Sequence, residues 1–263
     1  MILFVFEGSD DCKIMNTVKA LYPEAVSEDI VCLYKNNIYQ LYSKMKSSDP
    51  NPDFTQSLLS VLKARPDIAQ NEKIANADED TFSQVFLFFD YEPQHRNPEE
   101  DEPDIETLNR RLDEMLEFFD DETGNGKLYI SYPMAEALFY TKKLPNLEFV
   151  ACFVDLAQAK KFKDLTHEYS YYKSFDFLLY NSHELDGKRV PREYVRLNWK
   201  MVVEQNIFQA NYICTGRNEY PESKDVVTQG KIFENQLKKY VVVGKIAVLS
   251  AYPLFLFEYL KEL

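Results

Sequence analysis

Two runs, "ILFVFEG" at residues 2–8 and "VFLFFDYEP" at residues 85–93, set the reading of the whole chain. Each is a continuous apolar stretch of strand length, rich in Phe, Val and Leu, the pattern of a strand buried on both faces. Each then stops on acids: Glu7 in the first, Asp90 and Glu92 in the second. In an open parallel sheet, ligands bind outside the carboxyl ends of the strands. If both strands belong to one such sheet, Glu7 and Asp90 emerge at the same rim. Glu92, two residues beyond Asp90, points to the same side if the chain stays extended. Three converging carboxylates repel one another unless a cation lies between them, and an all-oxygen set suits Mg²⁺ or Mn²⁺ rather than zinc. The plainer reading is that each acid only caps a turn or a helix.

The rest of the chain fits that frame. Strand signals recur at "DIVCLYK" (29–35) and "KLYISYP" (127–133). Helices are expected over about 11–22, 37–48, 54–65 and 105–119, with "MAEALFY" (134–140) as a further one. Strands alternating with helices imply a parallel sheet with crossover helices. Loops are expected at 66–80 and 92–104. Beyond about residue 150 strand signals fade, and helices are expected near 155–164, 190–212, 219–239 and 241–262. The expected organisation is an α/β domain over 1–150 and a helical C-terminal region over 151–263.

Composition narrows the function. The 263 residues are 45% apolar and 28% charged, which is ordinary globular usage. With only 7 glycines, no glycine-rich phosphate loop is present. A net charge of −13 disfavours non-specific coating of nucleic acid but leaves room for a local basic groove. The four cysteines lack CxxC spacing, so reduced thiols in a cytoplasmic protein are expected. Residue 1 leads directly into a strand, which leaves no room for a signal peptide. The longest apolar stretch, "YVVVGKIAVLSAYPLFLFEYL" (240–260), is interrupted by Gly244, Lys245, Pro253 and Glu258. It reads as a buried helix pair, with no membrane span.

"FVFEG" and "FFDYE" together resemble the Toprim family, the catalytic fold of topoisomerases, primases and OLD-type nucleases. Its pattern is a Glu closing the first strand, often followed by Gly, and an Asp-x-Asp closing a later one. Glu7, Gly8 and Asp90 match, whereas Glu92 stands where the family has Asp. The resemblance covers about residues 1–140 and is nearest to the RloB-like proteins and the effector subunit of the PARIS system, from bacterial antiphage loci. It implies a mainly parallel sheet of about four strands and a metal-dependent nuclease acting on DNA or tRNA. It also implies an ABC-type ATPase as partner. A non-cleaving sensor subunit is the alternative, and whether the chain forms a homo-oligomer is left open.

Further candidates are ranked below the three acids. "GKLYISYPMAEAL" (126–138) resembles an RloB-like segment in which a strand leads through Pro to a helix bearing Glu. It implies that Glu136 reaches the metal rim and Lys127 pairs with a phosphate, although an acid in a first helical turn also simply favours the helix dipole. His95, in "DYEPQH", suits a proton shuttle or a phosphate contact. Arg189, Arg192, Arg196 and Lys200 recur at helical spacing, opposite Val190, Tyr194, Leu197 and Met201. That stripe fits a nucleic-acid strand, an acidic partner such as the ATPase, or plain solvent.

Overall fold

The computed structural model describes residues 1–23, 29–46, 54–78, 80–93, 104–146, 148–150, 152–180 and 191–259. In chain order the elements begin with β1 (Ile2–Phe6), α1 (Ser9–Leu21), β2 (Asp29–Leu33), α2 (Ile38–Met45), α3 (Leu58–Lys63), α4 (Pro66–Ala69) and α5 (Glu72–Ala75). They continue with β3 (Gln84–Asp90), α6 (Ile105–Phe118), β4 (Asp120–Asp121), β5 (Gly126–Ser131), β6 (Phe153–Asp155) and α7 (Phe162–Tyr169). The last are α8 (Arg192–Thr215), α9 (Gln229–Asn235), β7 (Lys245–Ala247) and α10 (Ala251–Tyr259). The chain divides into two compact units. One is Met1–Cys12, Glu28–Asp90 and His95–Leu128; the other is Lys13–Ser27, Tyr91–Gln94 and Tyr129–Leu263.

The main sheet has five strands in the order β2-β1-β3-β5-β4. β1 lies parallel to both β2 and β3, with Phe6 opposite Leu33 on one side and Phe88 on the other. The two-residue β4 runs antiparallel to β5. This is the expected mostly parallel α/β sheet, with one short strand more than the sequence suggests.

Register in the centre is held by aromatic side chains. Phe4 stacks on Phe86 at 5.5 Å, and Phe6 meets Phe88 at 5.3 Å. A slip of one residue would turn these rings to the opposite face and break both pairs, so the cross-strand contacts specify a single alignment. Gly126 opens β5 at φ +119, and a Cβ there would meet Leu87 Cδ1 at 3.0 Å and Val85 Cγ1 at 3.1 Å. Both its dihedral and its close approach to β3 require glycine.

Within the second unit, α8 is the central element. It buries Val195, Trp199, Val202 and Ile213 together with Asn198, Asn206 and Gln209. The amides serve neighbouring backbone: Asn198 donates to Phe177 O at 2.8 Å, Gln209 donates to Cys152 O at 2.8 Å, and Asn206 Oδ1 accepts from Ser250 N at 3.0 Å. The buried side thus differs from the expected one, because Tyr194 and Leu197 are exposed while Val195 and Trp199 face inward.

The expected helices over 219–239 and 241–262 also resolve differently. A 3-10 turn at Lys224–Val227, α9 and a π-helical turn at Gln236–Tyr240 fill the first. In the second, Gly244 adopts φ +73, β7 pairs antiparallel with β6, and only α10 is α-helical. Three-residue strands are too short to show a period, which is why this pair is not legible in the sequence. Among the described residues, no helix is long and apolar enough to cross a membrane.

Trp199 is fully buried, and its Nε1 donates to Leu178 O at 2.9 Å. Trp199→Phe keeps an aromatic ring but leaves that carbonyl without its donor. We expect a loss of about 1–3 kcal/mol in urea unfolding followed by circular dichroism. Unchanged stability would contradict this packing.

Candidate metal centre

β1 ends at Phe6, and the next residue is held by the sheet before the chain turns into α1. Glu7 N donates to Phe88 O at 3.3 Å. The Glu7 carboxylate then accepts from the backbone N–H of Asp90 at 3.1 Å, so the side chain of one strand end is oriented by the main chain of the next. On the α1 side, Gly8 N donates to Asp11 Oδ2 at 2.8 Å, and Asp11 is only 8% exposed. This is the reverse arm of a capping box, in which the third helical residue accepts from the N-cap amide and fixes the exit from β1.

Asp90 closes β3. Tyr91 follows fully buried, its N–H bonded to Ser131 O at 3.0 Å and its ring against Tyr132 at 5.5 Å and Phe233 at 6.1 Å. With Tyr91 inward, the acids on either side of it are left at the rim. Glu92 N donates to Pro133 O at 3.3 Å, and Glu92 adopts φ +37. The extended path expected beyond β3 is therefore broken by a left-handed residue, a conformation that disfavours a side chain by about 1–2 kcal/mol. Such outliers collect at functional sites.

Ligand oxygens of Glu7, Asp90 and Glu92 lie within 4.8 Å of one another, and all three residues are half-buried. They form a candidate site for a divalent cation. At this spacing each pair of carboxylates repels by on the order of 3 kcal/mol for an effective dielectric near 20. A shared cation reverses the sign of that term. The donor set is oxygen alone, which fits a hard ion.

The location fits a ligand site independently of the acids. From β1 the chain crosses first to β2 on one side and later to β3 on the other. The point between β1 and β3 is thus the topological switch point, where crossovers diverge and leave a crevice at the carboxyl ends.

Among the described residues, the grouped ligand atoms belong to Glu7, Asp90 and Glu92 of the candidates. Lys127 sits near the start of β5, opposite Asp120, four residues before Ser131, at the end of the strand remote from Tyr91. Glu136 lies in a 3-10 helix (Ala135–Phe139) that follows the cis Tyr132–Pro133 peptide, and its Oε1 is 3.6 Å from Lys163 Nζ. The α-helix expected at 134–140 is thus a short 3-10 turn. His95 and Arg189 fall outside the described residues. Arg192 donates to the Ala20 and Leu21 carbonyls at 3.1 and 2.8 Å, satisfying the last turn of α1. Arg196 lies 5.4 Å from the Tyr22 ring, and Lys200 is exposed.

Two contributors escape sequence reasoning. Tyr91 reads as one more aromatic between acids, although the alternation in "DYE" is the signal that it turns inward. Asp11 reads as part of a generic "SDD" helix start, and only its burial marks it as the cap beside Glu7.

Comparison with known proteins yields no match, whether to a family model, a curated protein or a solved structure.

Mn²⁺ titrated calorimetrically should bind to the intact chain. Glu7→Gln and Asp90→Asn should each weaken uptake at least 10-fold, since each removes a charged ligand. At 100 times its dissociation constant the ion should add about 2.7 kcal/mol of stability. Equal uptake by the variants would place the ion elsewhere.

Proposed function

We propose that the chain is a Toprim-like, metal-dependent phosphodiesterase. The observation that carries this reading is the approach of Glu7, Asp90 and Glu92 to within 4.8 Å at the switch point of a mostly parallel sheet. The order of the acids along the chain, with Glu-Gly after the first strand and Asp-x-Glu after a later one, supports the family. Glu92 replaces the family's Asp, and its longer arm, set by the left-handed turn, still brings a carboxylate oxygen into the group.

The residues fit a Mg²⁺ or Mn²⁺ ion, which Glu7, Asp90 and Glu92 would hold. Such an ion supplies activation of water and offsets charge on a phosphoryl group. The chain's own part is positional. The Asp90 amide fixes the Glu7 carboxylate, the buried Tyr91 ring anchors the segment between the two β3-side acids, and the Asp11 cap holds the turn out of β1. A preset ligand cage of this kind avoids reorganisation during reaction.

The same resemblance points to nucleic acid, DNA or tRNA, as substrate and to an ABC-type ATPase as partner in antiphage defence. A Walker-type ATPase gene beside this one would support the partner. A non-cleaving sensor is the second reading, favoured by the Glu at position 92 and the charge of −13.

With Mg²⁺ and a mixed DNA and RNA substrate panel, the intact chain should cleave phosphodiester bonds. Glu7→Gln and Asp90→Asn should lower the rate by at least 100-fold with an unchanged circular dichroism spectrum. Wild-type rates in both variants would refute the proposal. Metal uptake without cleavage of any panel member, partner ATPase included, would favour the sensor.

A further inference from the structure

The rim that carries Glu7 and Asp90 continues onto β2, the neighbour of β1 on the other side. Tyr34 N donates to Phe6 O at 2.8 Å, so Lys35 is the next residue out, one strand over from Glu7. Adjacent strands are about 4.8 Å apart. Lys35 adopts φ +57. Among the described residues, Lys35 and Glu92 are the two positive-φ residues other than glycine, and each lies two positions past the end of its strand.

Beside Lys35 is a cleft of about 260 Å³. Lys35, Asp67 and Asn71 line it together with Cys12, Leu33 and Ile68. It falls just short of the roughly 300–1,000 Å³ of pockets for whole drug-sized ligands. That suits one piece of an extended ligand that continues elsewhere.

The charges around the cleft are unequal. Arg65 binds Asp67 through Nε and a terminal nitrogen, both at 3.2 Å, and lies 4.9 Å from the Tyr34 ring. The Asp67 carboxyl is held below its usual range chiefly by its hydrogen bond from Arg65, with Lys35 a smaller influence. Lys35 Nζ stands 3.6 Å from Asp67, with its side chain 61% exposed. Arg65 therefore answers Asp67, and Lys35 presents the remaining positive charge to solvent on the same sheet rim as the acids. A lysine ammonium binds phosphate as a point charge.

We propose that Lys35 is a substrate-binding residue, which holds a backbone phosphate of a nucleic-acid strand beside the phosphodiester placed at Glu7 and Asp90, with the adjoining cleft receiving the attached sugar. The inference rests on the phosphodiesterase reading and extends it by giving the strand a direction, across β1 toward β2. A turn residue serving only the link from β2 to α2 would be improved by glycine, because φ +57 suits glycine best. Lysine at this position keeps a charged side chain at the rim, shared between Asp67 and solvent.

Fluorescence anisotropy with labelled 12-nucleotide single-stranded DNA and RNA of one sequence, in Ca²⁺, tests this. Lys35→Ala should raise the dissociation constant about 3- to 10-fold and reduce the slope of log affinity against log salt by about 0.7. Lys35→Arg should restore both. Lys35→Gly should bind as weakly as Lys35→Ala while its melting temperature stays level or rises. Calorimetric Mn²⁺ uptake should be unaffected by any Lys35 variant. Wild-type affinity and salt slope in Lys35→Ala and Lys35→Gly would overturn the proposal, as would an intact chain that takes up Mn²⁺ but binds neither oligonucleotide. If Mn²⁺ uptake fails while oligonucleotide binding still depends on Lys35, the metal reading falls and this one stands.

Discussion

The parallel pairing of β1 with β3 is the constraint on which the rest depends. Residues 7 and 90 are far apart along the chain, and only the alignment of Phe6 with Phe88 brings them to one rim. The alignment is enforced below the rim by Phe4 against Phe86 and Phe6 against Phe88. It is sealed at the rim by Glu7 N to Phe88 O and Asp90 N to the Glu7 carboxylate. Burial of the apolar runs drives the pairing, and the acids are carried to their places by it. The repulsion within the cluster is offset by the burial of the apolar strands beneath it.

From that pairing the chemistry follows in steps. The switch between crossovers opens a crevice above β1 and β3. Asp11 and Tyr91, neither of them a ligand, fix the two chain segments that leave the sheet there. Next to the acids, Lys35 stands two residues past the end of β2, one strand over from Glu7 and beside Asp67. On the phosphodiesterase reading proposed above, a nucleic-acid strand would meet cations at the acids and a lysine beyond them.

Much of the first half is legible in the sequence because its signals are long. The runs ending at Glu7 and Asp90 and the amphipathic stretch of α6 each extend over five or more residues, enough for a period to show. The candidate acids are legible because an open parallel sheet has one functional rim. What escapes depends on tertiary context. α8 buries Asn198, Asn206 and Gln209 against loop carbonyls and amides, so its inward side looks polar and the apparent apolar stripe through Tyr194 and Leu197 lies outside. Arg192 and Arg196 also have partners within the chain, the α1 carbonyls and the Tyr22 ring, that their spacing in the sequence does not show. Lys35 carries no sequence signal at all. Its backbone angle and its place beside β1 exist only in three dimensions.

The most direct test of the central claim is anomalous diffraction from crystals grown with Mn²⁺. A single strong peak bounded by Glu7, Asp90 and Glu92 oxygens, at coordination distances of about 2.0–2.3 Å, is the result this account predicts. Crystals saturated with Mn²⁺ that show no density among these three carboxylates, or that show Glu7 and Asp90 at different rims of the sheet, would contradict it.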